Sequence, residues 1–474
     1  PHLAARPLQA AHDRLRHALG RLHEELWRVI GHLAAGRLQS AACRRLLEEL
    51  RHRGHRVHAA HLDAVRLGGG TGPVEVLADR VRRIVRGEHE PDDRGEPLVR
   101  ESLGGDLDLG VGVYKDEAGK TPIPRAVKRA EQELLAAQTT KSYLSPVGHP
   151  GFNAQVAELT LGSDLAGRRG ELALAQAPGG SGALRLGASL LQLARPGSTV
   201  HVSDPTWANH IPLLGGAGLK LATYPYYSAE RNALDFEGMM KSLDSLPAGE
   251  VVLLHACCHN PTGQDLDPSQ WAAVAEVLAR RRLIPFLDMA YHGLGEDLDR
   301  DAASVRLIAK AVPELLIAVS CSKNFGIYRE RTGLLAVLCH GSAQAGIVTG
   351  HLGRAARTLW SMPPDSGAAI VDRVLSQPEL RQDWMTELTH MAQRINGLRT
   401  LLADKLSAAT DTDFGWIKQQ RGMFSRLPLS PEQVAKVRDQ HHIYMTPDAR
   451  INVAGVSPST IDYLATSLAT ELRR

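Results

Sequence analysis

Five short apolar runs, separated by longer stretches of helix-forming sequence, dominate the chain from Leu109 onward. Runs of this length are too short for helices, and their continuous apolar character predicts strands that are buried on both faces. Strands separated by helices require crossover connections, which favours an α/β fold with a mainly parallel sheet covered by helices. The predicted strands are Glu171 to Ala175, Thr199 to Val202, Val251 to His255, Leu283 to Asp288 and Leu315 to Val319.

The length and the net charge of the chain restrict the class of protein further. The 474 residues exceed one ordinary core, and a formal net charge of +3 is small for this size, so we expect neither a nucleic-acid partner nor a membrane partner. No apolar run approaches the roughly 20 residues of a membrane helix. The five cysteines show no paired metal-ligand spacing, so we expect no metal site and a reducing, cytoplasmic location.

The first hundred residues differ in composition from the rest, with eighteen arginines, ten histidines and no lysine. Leucines at three- and four-residue steps between Leu15 and Leu33 predict an amphipathic helix, and residues 1–72 are interpreted as a helical extension of unknown role. The segment GGGTGP, residues 68–73, is typical of a linker. Glutamates interspersed among the arginines favour a solvated helix face over a nucleic-acid patch.

Lys323 follows the last predicted strand, at the sheet edge where open α/β folds bind ligands. A desolvated lysine there can act as an amine nucleophile and form a Schiff base with an aldehyde cofactor, whereas a solvated loop lysine is the simpler alternative. Gly180 and Ser181 lie in PGGSG, which follows the first strand and begins a helix at Ala183 to Leu193. This segment is either a phosphate cradle or only a tight turn.

Further polar residues follow the other predicted strands. Asn260, in HNPTG, is able to hydrogen-bond a cofactor oxygen, or it forms an ordinary Asn-Pro turn. Asp288 closes a buried strand, with Tyr291 one turn beyond, so its carboxylate needs a cationic or hydrogen-bonding partner unless it caps a helix. Arg331 adds a guanidinium suited to phosphate. Together these residues are the parts needed to hold pyridoxal phosphate, whose ring withdraws electrons from a carbanion beside a carboxylate.

Eight segments, in order, resemble the class I (subgroup Iα) aminotransferases of the aspartate and aromatic amino-acid type, which have the fold type I of pyridoxal-phosphate enzymes. The resemblance extends from about Val76 to the C-terminus. The segments are LGVGVYKDEAGKTP (109–122), KSYLSPVGHPGF (141–152), APGGSGALR (177–185), VSDPTWANH (202–210), HACCHNPTG (255–263), SCSKNFGIYRERTG (320–333), QRGMFS (420–425) and RINVAG (450–455).

The resemblance implies roles for individual residues. Lys323 would form the internal aldimine and transfer the proton, and Asp288, supported by His255, would keep the pyridine nitrogen protonated. Tyr291 and Asn260 would hydrogen-bond the ring oxygen, and Trp207 would stack on the ring. The implied phosphate ligands are Gly180, Ser181, Ser320, Ser322, Arg331 and, from the other subunit of a homodimer, Tyr143.

The resemblance also assigns the substrate contacts. Arg450 would bind the α-carboxylate, Gly112 would lie over the substrate, and Arg357 would reach from the partner subunit to a distal carboxylate. Met362 replaces the Asn of the aspartate enzymes, Ala449 replaces a Gly, and Ser142 and Ser181 also depart from the aspartate pattern, whereas Lys115 and Thr121 retain it. These mixed markers predict a ping-pong transaminase (EC 2.6.1.-) that accepts aromatic amino acids, aspartate or both and uses 2-oxoglutarate.

The predicted domains are the extension, the N-terminal part of a small domain at 73–121, a large cofactor-binding domain at 122–390 and the rest of the small domain at 391–474. Alternatives concern the extension. A ligand-sensing regulator would need a winged helix-turn-helix, and residues 1–72 show no strand pair and no uninterrupted basic face. A chorismate-mutase-like helical unit, giving a bifunctional enzyme, is compatible in pattern only. A non-functional extension fits the composition equally well.

Overall fold

The computed structural model describes residues 106–473, without the side chains of residues 164–167. All described residues belong to one compact unit, which ends at Arg474. The helices predicted before residue 73 lie outside the described residues, so they stay predictions, as do the predicted domain boundaries.

The strands are short and most of them belong to one sheet. In chain order they are β1 (Leu107–Asp108), β2 (Leu172–Pro178), β3 (Thr199–Asp204), β4 (Lys220–Pro225), β5 (Tyr227–Ser228), β6 (Ala233–Leu234), β7 (Val251–His255), β8 (Ile284–Met289), β9 (Leu315–Ser320), β10 (Thr332–Leu338), β11 (Phe424–Arg426), β12 (Ile443–Tyr444) and β13 (Arg450–Asn452).

The central sheet has seven strands in the order β2-β10-β9-β8-β7-β3-β4. Strands β4, β3, β7, β8 and β9 are parallel, and β10 is antiparallel to both of its neighbours. The prediction of a mainly parallel α/β sheet is therefore confirmed, and all five predicted strands are present. The sequence analysis did not identify β4 and β10.

Helices cover the sheet. In chain order they are α1 (Arg125–Ala137), α2 (Pro150–Leu161), α3 (Gly179–Ala194), α4 (His210–Gly215), α5 (Phe236–Ser245), α6 (Pro268–Arg281), α7 (Leu298–Ala311), α8 (Ser342–Leu359), α9 (Ser366–Ser376), α10 (Pro378–Thr410), α11 (Pro431–His441) and α12 (Ile461–Leu472). No helix in residues 106–473 combines the length and apolar character needed to cross a membrane.

Strand β9 shows why the sheet is covered on both faces. Its alternate residues Leu315, Ile317 and Val319 belong to one hydrophobic cluster, and Leu316 and Ala318 belong to a second. Side chains alternate between the faces of a strand, so the two clusters are the cores on the two sides of the sheet. This arrangement explains the continuous apolar runs in the sequence.

The C-terminal part packs around the long helix α10, which begins at Pro378 and continues past residue 390. Two small pairs of strands complete it: β11 with β13, antiparallel, and β1 with β12, parallel. The pair of β11 and β13 brings Phe424 and Arg450 to the carboxyl edge of the central sheet, where Arg450 contacts Asn260.

Candidate active site

Lys323 lies in the turn between β9 and β10, and its Nζ lies 5.0 Å from the centre of the Tyr291 ring. Burial lowers the pKa of Lys323 to about 8; the carboxylate of Asp288 opposes this shift, and the positive charges of Arg331 and Arg450 add to it. A lysine with this pKa has a neutral fraction near neutral pH, and the neutral amine is the nucleophile. The solvated-lysine alternative is therefore disfavoured.

Asp288, in β8, is buried and paired with a histidine. His210, the first residue of α4, has its Nε2 3.0 Å from Oδ2 of Asp288, and its Nδ1 lies 2.8 Å from Oγ1 of Thr206. Burial raises the pKa of Asp288, but the hydrogen bond from His210 and the electrostatic effects of His210, His255 and Lys323 outweigh it and hold the pKa below its ordinary value. The carboxylate is therefore charged at neutral pH.

His255, the predicted support of Asp288, lies beside it but does not hydrogen-bond to it among the described residues. His255 is paired with Asp288 in the register of β7 and β8, and its ring lies 5.1 Å from that of His210. Neither ring nitrogen of His255 has a hydrogen-bond partner among the described residues. Burial lowers the pKa of His255 to about 3, and the nearby His210 contributes in the same direction. The direct partner of Asp288 is thus His210, a residue of the VSDPTWANH segment that sequence reasoning passed over.

The N-terminus of α3 forms one side of an anion site. The helix begins at Gly179, and no side chain caps it, so its first N–H groups are available. A Cβ on Gly179 would lie 2.6 Å from Arg331 Nη2, and one on Gly180 would lie 3.1 Å from the Cβ of Ser320. Glycine at Gly179, whose φ is 72°, and at Gly180 leaves space for the close approach of these side chains. Ser181 follows in the same first turn.

Arg331 forms the opposite side of the same site. It adopts a positive φ of 52°, and its Nη1 donates a hydrogen bond of 3.2 Å to Oγ of Ser322. Ser322 and Ser320 are both buried in the turn that carries Lys323. The two serines, the guanidinium and the helix N-terminus therefore converge as the resemblance predicted for a phosphate group.

Arg450, the first residue of β13, is held from several sides. Its Nη1 donates to Oδ1 of Asn260 at 3.1 Å, and its Nη2 donates to the carbonyl of Gly110 at 2.9 Å. The guanidinium lies 4.2 Å from the centre of the Phe424 ring. A Cβ on Gly112 would lie 3.0 Å from Cζ of Phe424, so the glycine allows the segment over the site to pack closely against this ring. Phe424, in the QRGMFS segment, was not assigned a role from the sequence.

Ala449 occupies the position where the family has a glycine, and its backbone is left-handed, with φ of 62°. Its N–H donates to the carbonyl of Thr446 and its carbonyl accepts from the N–H of Leu427, both at 2.9 Å. The turn before Arg450 therefore has a glycine-type conformation although the residue is alanine.

The residues present fit pyridoxal phosphate. Oδ1 of Asp288 is buried and has no partner among the described residues, so it is available to a protonated ring nitrogen. The uncapped N-terminus of α3, with Arg331, is suited to the phosphate, and the amine of Lys323 is suited to the aldehyde.

Comparisons with known proteins agree with this geometry. Residues 105–468 match the family described as aminotransferase class I and II. The chain belongs to this aminotransferase family. It is 47% identical to the aromatic-amino-acid aminotransferase of Paracoccus denitrificans over 77% of the chain and 92% of that protein, and 41% identical to the aspartate aminotransferase of Salmonella typhi over 78% and 93%.

A solved structure of the aromatic-amino-acid aminotransferase from Burkholderia pseudomallei, covalently bound to pyridoxal phosphate, is 40% identical. The match covers 87% of this chain and 99% of that one, with a TM-score of 0.76. The predicted family, fold type I and aminotransferase class are therefore confirmed, and the covalently bound cofactor of this relative supports the predicted cofactor.

Several predicted site residues of the aminotransferase do not join this cluster within one chain. Tyr143 is 89% exposed, and Arg357, in the last turn of α8, is also exposed. Met362 accepts a hydrogen bond from Ser361 at its Sδ. Trp207 is half-buried, with its ring 5.3 Å from that of His210, the partner of Asp288, in an edge-to-face arrangement. Its stacking on the cofactor ring stays a prediction.

Two buried groups of the aminotransferase have the residue types that bind metal ions. They are His210, His255 and Asp288, and Cys257, Cys258 and Asp301. In the first group the hydrogen bond between His210 and Asp288 already occupies the facing atoms. The expectation that the enzyme has no metal site stays a prediction.

Proposed function

We propose that the enzyme transfers the amino group of aromatic amino acids and of aspartate to 2-oxoglutarate by a ping-pong reaction. The observation that carries the proposal is the convergence of Lys323, Asp288 and Arg450 at one edge of the sheet, each with the environment its role needs. The similarity to relatives named for aromatic and for aspartate substrates supports the dual range. The resemblance places Met362 beside the Arg450 clamp, where a methionine would make the pocket more apolar than an asparagine and so favour aromatic side chains.

The residues then have defined tasks. When bound, pyridoxal phosphate withdraws electrons and so acidifies the α-hydrogen of the amino acid. Arg450 binds the α-carboxylate through the part of its guanidinium that is not used by Asn260 and Gly110, and so fixes the α-hydrogen. Lys323, whose pKa is lowered to about 8, takes that proton at Nζ and returns it. Asp288, kept charged by His210, holds the proton of the ring nitrogen.

The remaining roles follow the resemblance and the contacts. Asn260 and Tyr291 would donate hydrogen bonds to the ring oxygen of pyridoxal phosphate, Trp207 would stack on the ring, and His255 would support Asp288. Gly112 leaves room for the substrate beside Phe424. The phosphate ligands would be Gly180, Ser181, Ser320, Ser322 and Arg331.

We also propose a homodimer with shared active sites. Tyr143 and Arg357 are exposed in the single chain, and the resemblance places both in the partner's site. The large apolar side chains of Leu135 and Ile347, exposed by 84% and 62%, also fit an intersubunit surface.

The proposed location of the enzyme is the cytoplasm. The four described cysteines form no disulfide, which fits a reducing compartment.

The test compares aspartate, tyrosine and phenylalanine as amino donors with 2-oxoglutarate. Lys323→Ala should bind the cofactor without turnover, and full activity of that variant would refute the assignment. Arg357→Leu should lose aspartate turnover much more than phenylalanine turnover, and equal losses would argue against its role. Mixing Lys323→Ala with Arg357→Leu under conditions that allow subunit exchange should restore aspartate turnover. One of the two sites of each hybrid dimer then contains both a native Lys323 and a native Arg357. No restoration would exclude the shared site.

A further inference from the structure

The turn between β8 and α7 folds around one buried carboxylate, that of Asp301. The side chain is 6% exposed. Its Oδ2 accepts hydrogen bonds from the N–H groups of Gly293 at 2.8 Å and Gly295 at 2.9 Å, and its Oδ1 accepts one from Glu296 at 3.0 Å. Three converging N–H groups form a concave anion-binding backbone, here occupied by a side chain of the same protein.

The packing leaves little freedom in this turn. A Cβ on Gly295 would lie 2.5 Å from Oδ1 of Asp301, and one on Gly293, whose φ is 85°, would lie 2.5 Å from Cδ2 of Leu388. Nδ2 of Asn396, in α10, donates to the carbonyl of Gly295 at 2.8 Å. The turn is thus fixed by the carboxylate on one side and by α10 on the other.

Tyr291 lies at the start of this turn. It is 4% exposed, its carbonyl accepts the N–H of Leu294 at 2.9 Å, and its ring faces Nζ of Lys323. We infer that Asp301 is a positioning residue for Tyr291: by binding the three N–H groups, it sets where the phenol lies in the active site. The inference rests on the proposed role of Tyr291 at the cofactor ring oxygen.

The charge of Asp301 does not serve stability. Burial raises the pKa of Asp301 to about 7; the three N–H groups lower it, and the nearby Asp265 raises it. Because the pKa in the folded state is above the ordinary value, the contribution of this group to stability is greatest at low pH and decreases as the pH rises from about 4 to about 7.

The main variant is Asp301→Asn, whose amide group replaces an acceptor oxygen by a donor that faces the N–H groups. We expect weaker binding of pyridoxal phosphate, a fall in kcat/KM of about 10- to 100-fold, and a changed pH titration of the absorbance of the bound cofactor. The changes should have the same direction as those of Tyr291→Phe. Asp299→Asn is the matched control, because Asp299 lies in the same helical turn but is 87% exposed and forms an ion pair with Arg306 at the surface.

A double-mutant cycle separates positioning from general damage. If Asp301 acts through Tyr291, the double variant with Tyr291→Phe should bind the cofactor about as well as the weaker single variant. The inference would be overturned if the losses of cofactor affinity in the two single variants multiplied in the double variant. It would also be overturned if Asp301→Asn had the native cofactor affinity and the native absorbance spectrum. If Asp301→Asn does not fold, the test uses Gly295→Ala, whose methyl group displaces the carboxylate without changing its charge. This variant should show the same weaker cofactor binding and the same fall in kcat/KM. If Tyr291→Phe itself changes nothing, the proposed role of Tyr291 fails instead.

Discussion

The pairing of Asp288 with His210 rather than His255 predicts unequal effects of two otherwise similar substitutions. His210→Phe retains an aromatic ring but removes the donor to Oδ2, and Oδ1 already has no partner in residues 106–473. A hydrogen bond to a charged group contributes about 1.5–3 kcal/mol, which corresponds to an increase of about one to two units in the pKa of Asp288. His255→Phe removes no hydrogen bond that the structure shows.

The assay is the pH dependence of pyridoxal phosphate affinity in cofactor-free enzyme. Affinity should decrease where Asp288 takes up a proton, because a neutral carboxyl no longer pairs with a protonated ring nitrogen. In the native enzyme this decrease lies below the ordinary pKa of an aspartate. In His210→Phe it should move about one to two units towards neutrality, and in His255→Phe by much less. Equal shifts, or a larger shift in His255→Phe, would refute the reasoning.

Three further predictions concern the neighbouring residues. The pKa of Lys323, about 8, predicts that the rate at which pyridoxal phosphate attaches to cofactor-free enzyme, followed by stopped-flow absorbance, is half-maximal near pH 8; a midpoint near pH 10 would contradict this. The free energy of unfolding of the cofactor-free enzyme should also increase as the pH rises from about 8 to 10.5, because the folded state binds fewer protons than the unfolded state in this range. Phe424→Leu removes the ring that lies 4.2 Å from the Arg450 guanidinium. It should raise KM by about 2- to 30-fold for aspartate and phenylalanine alike, whereas Phe424→Tyr should not; an effect on aromatic donors alone would exclude this role. Ala449→Val places a branched side chain at φ of 62° and should lower the free energy of unfolding by about 1–2 kcal/mol or more in urea. The free energy of unfolding of Ala449→Gly should stay within about 1 kcal/mol of the native value, because the relief of backbone strain is offset by the lost methyl group and by the more flexible unfolded chain. A native free energy of unfolding in Ala449→Val would contradict the left-handed conformation of residue 449.

Much of the site was predictable because it depends on topology. Lys323, Asn260 and Asp288 each follow or close a short apolar run, and the carboxyl ends of parallel strands meet at one edge. Their convergence therefore required only that the runs be recognised as strands. Strand β4 lacks this signal, because it lies at the sheet edge and its residues are mostly half-buried or exposed. Strand β10 is apolar, but it begins directly after Arg331, and its antiparallel pairing with β2 depends on residues that are distant in sequence.

The contact between His210 and Asp288 shows where sequence reasoning ends. His255 and Asp288 are neighbours in the register of β7 and β8, both at the ends of their strands. Strand positions alone therefore suggest His255 as the hydrogen-bond partner of Asp288. The actual donor begins α4, which follows β3, and it reaches Asp288 only because β3 lies beside β7 in the sheet. Nothing in the local sequence of β3 or α4 determines that strand order. The same holds for Asp301, whose role is visible only once three N–H groups of the turn, five to eight residues earlier, are seen to face its carboxylate. A pattern of residue types thus identifies groups that act at the ends of strands, whereas the groups that orient them have to be found from hydrogen-bond geometry.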